Sequence, residues 1–184
     1  MDIQVVKGTV FGVSSDARHA FSKPCKESIT LVEGYGVEGD AHAGPFVRHR
    51  FLARRWSKLA NLRQVHLIAA ELFGELREAG HTVGPGELGE NVTTAGLKLE
   101  HLPLGTKLLL GRSAIVELTG LRTPCALIDR FQRGLRGKMI RGERSGPKFK
   151  CGVLGVVRVG GRVSAGDVAL AEPPPMPWYS LPNL

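Results

Sequence analysis

Glycine spacing constrains this chain more than any other feature of its sequence. From Pro85 on, Gly86, Gly89, Gly96, Gly105 and Gly111 separate short apolar runs such as Lys107-Leu108-Leu109-Leu110 and Ala114-Ile115-Val116-Glu117-Leu118. Apolar, β-branched runs between turn-forming glycines read as short strands, and strands at this spacing favour a barrel or a sandwich. The same pattern covers Ile3 to Val13, which runs into a Ser14-Ser15-Asp16 turn, then Ser28 to Val32 and Gln64 to Ile68. Val153 to Val159 and Arg162 to Leu170 flank Gly160-Gly161, a hairpin signal. Helical spacing occurs twice. Leu72, Phe73 and Leu76 predict a helix over Ala69 to Ala79 that Gly80 ends, and Leu127 or Ile128, Phe131 and Leu135 predict one from Pro124 to about Gly137. The fold class expected is mainly β with flanking helices.

At 184 residues the chain fits one domain. That domain is expected over 1–170, with Glu172-Pro173-Pro174-Pro175-Met176-Pro177 leaving the fold, so that 171–184 form a proline-rich C-terminal tail. Hydrophobic residues at 42%, charged residues at 23% and a mean hydropathy of −0.03 are ordinary globular values. No apolar stretch approaches the roughly 20 residues of a membrane helix, and the opening residues lack a basic segment followed by an apolar core. A cytoplasmic protein without a membrane partner is therefore expected. Cys25, Cys125 and Cys151 cannot all pair within the chain, and their wide spacing lacks the close CxxC pairs of common zinc sites, so at least one free thiol in a reducing compartment follows.

A formal charge of +8 attracts an anion, which could be nucleic acid, an acidic surface or a phosphorylated small molecule. The cations crowd two segments. One holds Arg48, Arg50, Arg54, Arg55, Lys58 and Arg63, and the other Arg130, Arg133, Arg136, Lys138, Arg141 and Arg144. Each is either a solvated face or a binding surface, and the stretch from Phe46 to Asn61 is either a lid or a surface excursion.

Thr123-Pro124-Cys125 places a thiol in the first turn of the second helix, where unpaired backbone N–H groups and the helix dipole favour thiolate. Arg122 would add positive charge and Thr123 would cap the helix. The competing reading is a small buried hydrophobe. Cys25 reads as exposed and incidental, and Cys151 as a core residue that stays a neutral thiol. The glycine-rich loop Gly34 to Gly44 carries Asp40 and His42, but with His49 and His66 these match no common zinc spacing. Gly89-Glu90-Asn91 either caps a turn or grips a ligand's polar edge.

In order and spacing, Gly36-Val37-Glu38-Gly39-Asp40-Ala41-His42-Ala43-Gly44, Arg63-Gln64-Val65, Gly89-Glu90-Asn91, Thr119-Gly120-Leu121-Arg122-Thr123-Pro124-Cys125 and Gly160-Gly161-Arg162-Val163-Ser164-Ala165-Gly166-Asp167 resemble the MOSC family, named for the C-terminal domain of molybdenum-cofactor sulfurases. The likeness runs from the first strand to about Leu170. It implies a β-barrel MOSC fold, similar to the pyruvate-kinase barrel, and a cysteine, here Cys125, that carries sulfur or contacts molybdenum. It further implies that Gly39, Asp40, His42, Arg63, Glu90, Asn91, Arg122 and Thr123 line the cofactor cleft. Two departures from the pattern are expected to matter: Thr123 stands where relatives often have asparagine, and the protein is expected to lack a preceding aminotransferase-like sulfurase domain. A sulfur donor such as a cysteine desulfurase is thus expected from elsewhere. Pyridoxal phosphate is sometimes attributed to the family, but none of Lys107, Lys138, Lys148 or Lys150 stands out as its attachment point.

Three functions remain open on the sequence. The first is a persulfide carrier serving a molybdenum-pterin cofactor or a molybdoenzyme acceptor. The second is a molybdenum-dependent reductase of N-hydroxylated compounds with Cys125 as metal ligand. The third is a non-catalytic basic module, for which 6% aromatic content offers little surface for stacking nucleic acid.

Overall fold

The computed structural model describes residues 5–46, 58–141 and 149–184. Its strands are β1 (Val6–Ser14), β2 (Cys25–Lys26), β3 (Ser28–Val32), β4 (Gly36–Val37), β5 (Val65–Ala69), β6 (Val92–Ala95), β7 (Lys107–Leu110), β8 (Ala114–Leu121), β9 (Val153–Val159), β10 (Gly161–Ser164) and β11 (Val168–Glu172). The main sheet runs β11-β7-β8-β9-β5-β6-β1, and β1 pairs back onto β11 from Val6 opposite Ala171 to Thr9 opposite Val168. Among the described residues seven strands thus close a barrel, as the glycine-punctuated runs predict. β5 and β6 are parallel, and the intervening helix Glu71–Glu78 is their crossover. Along β8, Ala114, Val116 and Leu118 point inward while alternate residues are only half-buried, the period of two that a filled barrel needs. A small sheet, β10-β3-β4, lies beside the barrel.

A second apolar cluster is separate from the barrel core. Ile68 on β5, Leu72, Phe73 and Leu76 on the helix Glu71–Glu78, Ile128, Leu135, Met139 and Cys151 form one buried cluster, against which Cys125 packs.

Two expectations change. The predicted helix from Pro124 to Gly137 is two short ones, Leu127–Phe131 and Leu135–Lys138. Gln132 is extended between them, its side chain tied to the Thr82 carbonyl at 2.6 Å and His81 at 3.1 Å, and Gly134 adopts φ +83°, which glycine tolerates without strain. Nor does the proline-rich stretch leave the fold. Prolines supply no N–H for a ladder, but the chain beyond them turns back and lies on the end of β8, where Leu121 N–H donates to Pro182 O at 2.7 Å and Leu184 N–H to Leu121 O at 2.9 Å. Leu181 is buried there in the barrel core. Among the described residues no helix is long and apolar enough to cross a membrane.

Candidate functional site

β8 delivers the chain to Arg122, and the helix Leu127–Phe131 begins only after Ala126, its N-cap. Cys125 therefore precedes the helix instead of occupying its first turn, and a five-residue helix adds little dipole. Thr123 is not the cap either. Its hydroxyl donates to Leu184 O at 2.8 Å and so anchors the returning tail to the thiol loop.

What conditions the half-buried Cys125 is Arg122. The guanidinium donates from Nη2 to Cys125 Sγ and from Nη1 to Cys151 Sγ, both at 3.8 Å. Cys151 in turn donates its thiol proton to Arg122 O at 2.8 Å. Burial pushes the Cys151 thiol up, against the pull of Arg122, so it is held as a thiol. Arg136, from the second basic segment, closes the loop by donating to Pro124 O at 3.3 Å. Cys25 is exposed on β2, where its thiol donates to Pro85 O at 3.3 Å.

Behind the two sulfurs lies a buried polar chain. His66, on β5, donates from Nε2 to Cys151 O at 2.9 Å, and burial keeps its imidazole neutral. Its backbone N–H donates to Asn91 Oδ1 at 3.2 Å, while Asn91 Nδ2 donates to Ser14 O at 3.2 Å and to Asp40 Oδ2 at 3.0 Å. Asn91 thereby spends its amide on the protein. Gly39, with φ +73° at an exposed turn, swings Asp40 inward. Asp40 accepts from Lys23 Nζ at 2.8 Å, with both side chains under one-twentieth exposed, and from His42 N and Nδ1 at 2.9 and 3.3 Å. Burial alone would raise the Asp40 carboxyl, but the His42 hydrogen bond and then the Lys23 ammonium outweigh it and hold it far below the usual range.

Arg63 is half-buried, and burial plus the like charge of Arg122 lower its pKa. Among the described residues neither guanidinium has a carboxylate partner. The two guanidiniums thus share one neighbourhood, close enough for the charge of Arg122 to be felt at Arg63.

Glu90, like Asn91, has a structural task. It is fully buried, and Oε1 accepts from Gly86 N and from Thr93 Oγ1 at 3.1 Å, while Oε2 has no partner. Burial raises its pKa. A raised carboxyl favours the folded state while it is protonated and loses that contribution as pH rises through the folded value. Glu90→Gln is therefore expected to melt at or above the wild-type temperature at pH 8, with the advantage shrinking toward pH 4. Melting curves across that range check it, and an advantage largest at acid pH would refute it.

The structure thus joins Asp40, His42 and Asn91 in one network and Arg122 and Cys125 in another, linked through His66 and Cys151. Lys23, the bond from His66 to the Cys151 carbonyl and the partnership of Cys151 with Cys125 escape a sequence reading. Of the lysines weighed as cofactor attachments, Lys150 is paired with Glu75 at 2.6 Å, Lys107 and Lys138 are exposed, and Lys148 lies outside the described residues. So do His49, Arg48, Arg50, Arg54, Arg55 and Arg144, and with them most of the segment 46–61. That segment's described end is tied down, since Asn61 Nδ2 donates to His42 O at 3.0 Å and Gly44 O at 2.9 Å.

The MOSC domain profile matches residues 41–169, a span that begins beside Asp40 and includes Arg63, Asn91, Arg122, Cys125 and Cys151. The chain belongs to the MOSC domain family. That family is associated with molybdenum-cofactor binding and sulfur transfer. The YuaD protein from Bacillus subtilis is similar in structure to this MOSC domain, with a TM-score of 0.76 and 20% identity over 94% of this chain and 99% of that one. YiiM from Escherichia coli gives 0.60 and 21% over 94% and 73% of the two chains, and YiiM from Geobacillus stearothermophilus 0.64 and 15% over 89% and 74%. At these identities the likeness establishes the shared barrel. A comparison with the curated proteins finds no match.

Proposed function

We propose that this MOSC protein is a sulfur carrier that holds a persulfide on Cys125 and hands its outer sulfur to a molybdenum-pterin cofactor or another metal–sulfur acceptor. The observation that carries this reading is a half-buried thiol whose sulfur accepts a hydrogen bond from a guanidinium. The Cys125 thiolate attacks the outer sulfur of a donor persulfide, such as that of a cysteine desulfurase. The new S–S bond forms as the donor's own S–S bond breaks, and the donor departs as a thiolate. Arg122 stabilises the anion on either side of the step. Arg63 and Arg122, which among the described residues have no carboxylate partner, would hold the phosphate of such a cofactor, and its metal would supply both the acceptor and the two electrons with which the outer sulfur leaves Cys125 as sulfide. A cytoplasmic location follows from the need to keep the thiol reduced.

The test is intact-protein mass spectrometry after incubation with a cysteine desulfurase and cysteine. Wild type is expected to gain reducible sulfur and Cys125→Ala to gain none. A gain that persists in Cys125→Ala would overturn the carrier. Stoichiometric molybdenum in protein from a molybdate-replete host, lost in Cys125→Ala, would instead favour Cys125 as a metal ligand in a reductase.

A further inference from the structure

Arg122 contacts two sulfurs, and the carrier reading uses only one. A cysteine serving merely as a small core hydrophobe needs no cation beside it, and placing a guanidinium against a buried apolar group costs free energy. Yet Cys151, 1% exposed, receives Nη1 while Cys125 receives Nη2 of the same planar group, so both sulfurs lie along one edge of one side chain. Cys125 also packs directly on the cluster that contains Cys151. The backbone reinforces the arrangement, because Arg122 N–H donates to Gly152 O at 3.0 Å and Cys151 Sγ–H to Arg122 O. These bonds staple the Cys125 loop to the start of β9 from both directions.

We infer that Cys151 is a second reacting thiol, which discharges the Cys125 persulfide internally when no acceptor takes it. The step rests on the carrier reading above. Cys151 Sγ attacks Cys125 Sγ, the bond between Cys125 Sγ and the outer sulfur breaks, and that sulfur leaves as hydrosulfide. The hydrosulfide takes up the proton that Cys151 gives up and departs as hydrogen sulfide, while a Cys125–Cys151 disulfide remains. The outer sulfur is reduced and Cys151 oxidised, so no further oxidant is consumed. An external low-molecular-weight thiol then returns the disulfide to two thiols. Burial, which keeps Cys151 protonated, makes it a slow attacker. An acceptor is thus served first and an idle persulfide cleared later. Arg122, lying against both sulfurs, offsets negative charge on the attacking sulfur and on the leaving one.

The experiment loads reduced full-length protein with inorganic polysulfide, removes excess reagent, and follows intact mass and released sulfide without added reductant. Wild type is expected to show a one-sulfur gain that decays to the loss of two hydrogens as one equivalent of sulfide appears. Peptide mapping should then find Cys125 linked to Cys151. Cys151→Ser and Cys151→Ala should both keep the gained sulfur and release sulfide at least tenfold more slowly until dithiothreitol is added. Release as fast in both variants as in wild type, or a wild-type link to Cys25 instead, overturns the role of Cys151 and leaves the carrier standing. If wild type, which needs no substitution to fold, gains no sulfur on Cys125, both readings fall together.

Discussion

Asp40→Ala is expected to destabilise this MOSC domain by roughly 3–5 kcal/mol, the cost of leaving one member of a buried ion pair unpaired. Lys23 Nζ lies 2.8 Å from Asp40 Oδ2, with side chains only 4% and 3% exposed, so water cannot replace the lost carboxylate. Asn91 Nδ2 and the His42 backbone N–H lose an acceptor in the same step. Urea denaturation measures the loss, and a melting point lower by about 10 °C is the thermal counterpart for a chain of this size. A second variant separates charge from packing. Asp40→Asn combined with Lys23→Met leaves no buried charge and should recover more than half of the deficit, whereas Asp40→Asn alone should not. Equal stability of Asp40→Ala and wild type would refute this account. The pH dependence has a definite sign. Because the folded-state carboxyl is depressed, its contribution is complete above the unfolded value of about 4 and is lost as pH falls further. The gap between wild type and Asp40→Ala should therefore narrow in acid.

Gly152→Ala is expected to cost about 3 kcal/mol or more. Gly152 has φ +91°, a left-handed conformation worth roughly 1–2 kcal/mol against a residue with a Cβ. The added Cβ would also stand 2.7 Å from Ile68 Cγ1 and 2.9 Å from His66 Nε2, and would collide with Leu67 O, an overpacking cost of about 1–3 kcal/mol. Gly80 is the matched control. It has φ +87° with nothing within 4 Å of a built Cβ, so Gly80→Ala should show the backbone cost alone. Similar losses for the two variants in urea would refute the crowding argument. Because Gly152 follows Cys151 directly, the same substitution should also loosen Arg122 from the sulfurs. Faster alkylation of Cys151 by iodoacetamide would report that.

The barrel was legible because strand alternation and glycine turns are local signals. Ala114, Val116 and Leu118 announce their inward face within five residues, and Gly80 ends the helix Glu71–Glu78 as a stop signal should. The split between the helices Leu127–Phe131 and Leu135–Lys138 was not legible, since it depends on Gln132 reaching Thr82, fifty residues away. The expectation that Thr123 caps a helix containing Cys125 failed for a related reason. The preference of Pro124 for a first turn is weaker than the anchoring of Thr123 by the returning tail, which composition had consigned to solvent. In the site, Asp40, Asn91, Arg122 and Cys125 stand in motifs that can be read in order. Lys23 stands in no motif, and its neighbours Ser22 and Pro24 give no hint that it is buried. Cys151 declares its burial through the apolar run after it, but not its sulfur neighbour, because only pairing of β8 with β9 brings residues 125 and 151 together.

The pairing of β1 with β11 has a consequence during synthesis. Val6 is synthesised long before Ala171 and waits for it before the barrel can be sealed, so closure is a late event in the making of the domain. Cys125 emerges well before Cys151 and Gly152, and β9 must insert between β5 and β8 before Arg122 meets both sulfurs. The nascent polypeptide therefore carries Cys125 as an ordinary solvent-bathed thiol, and its special surroundings are assembled only at the last stage of folding.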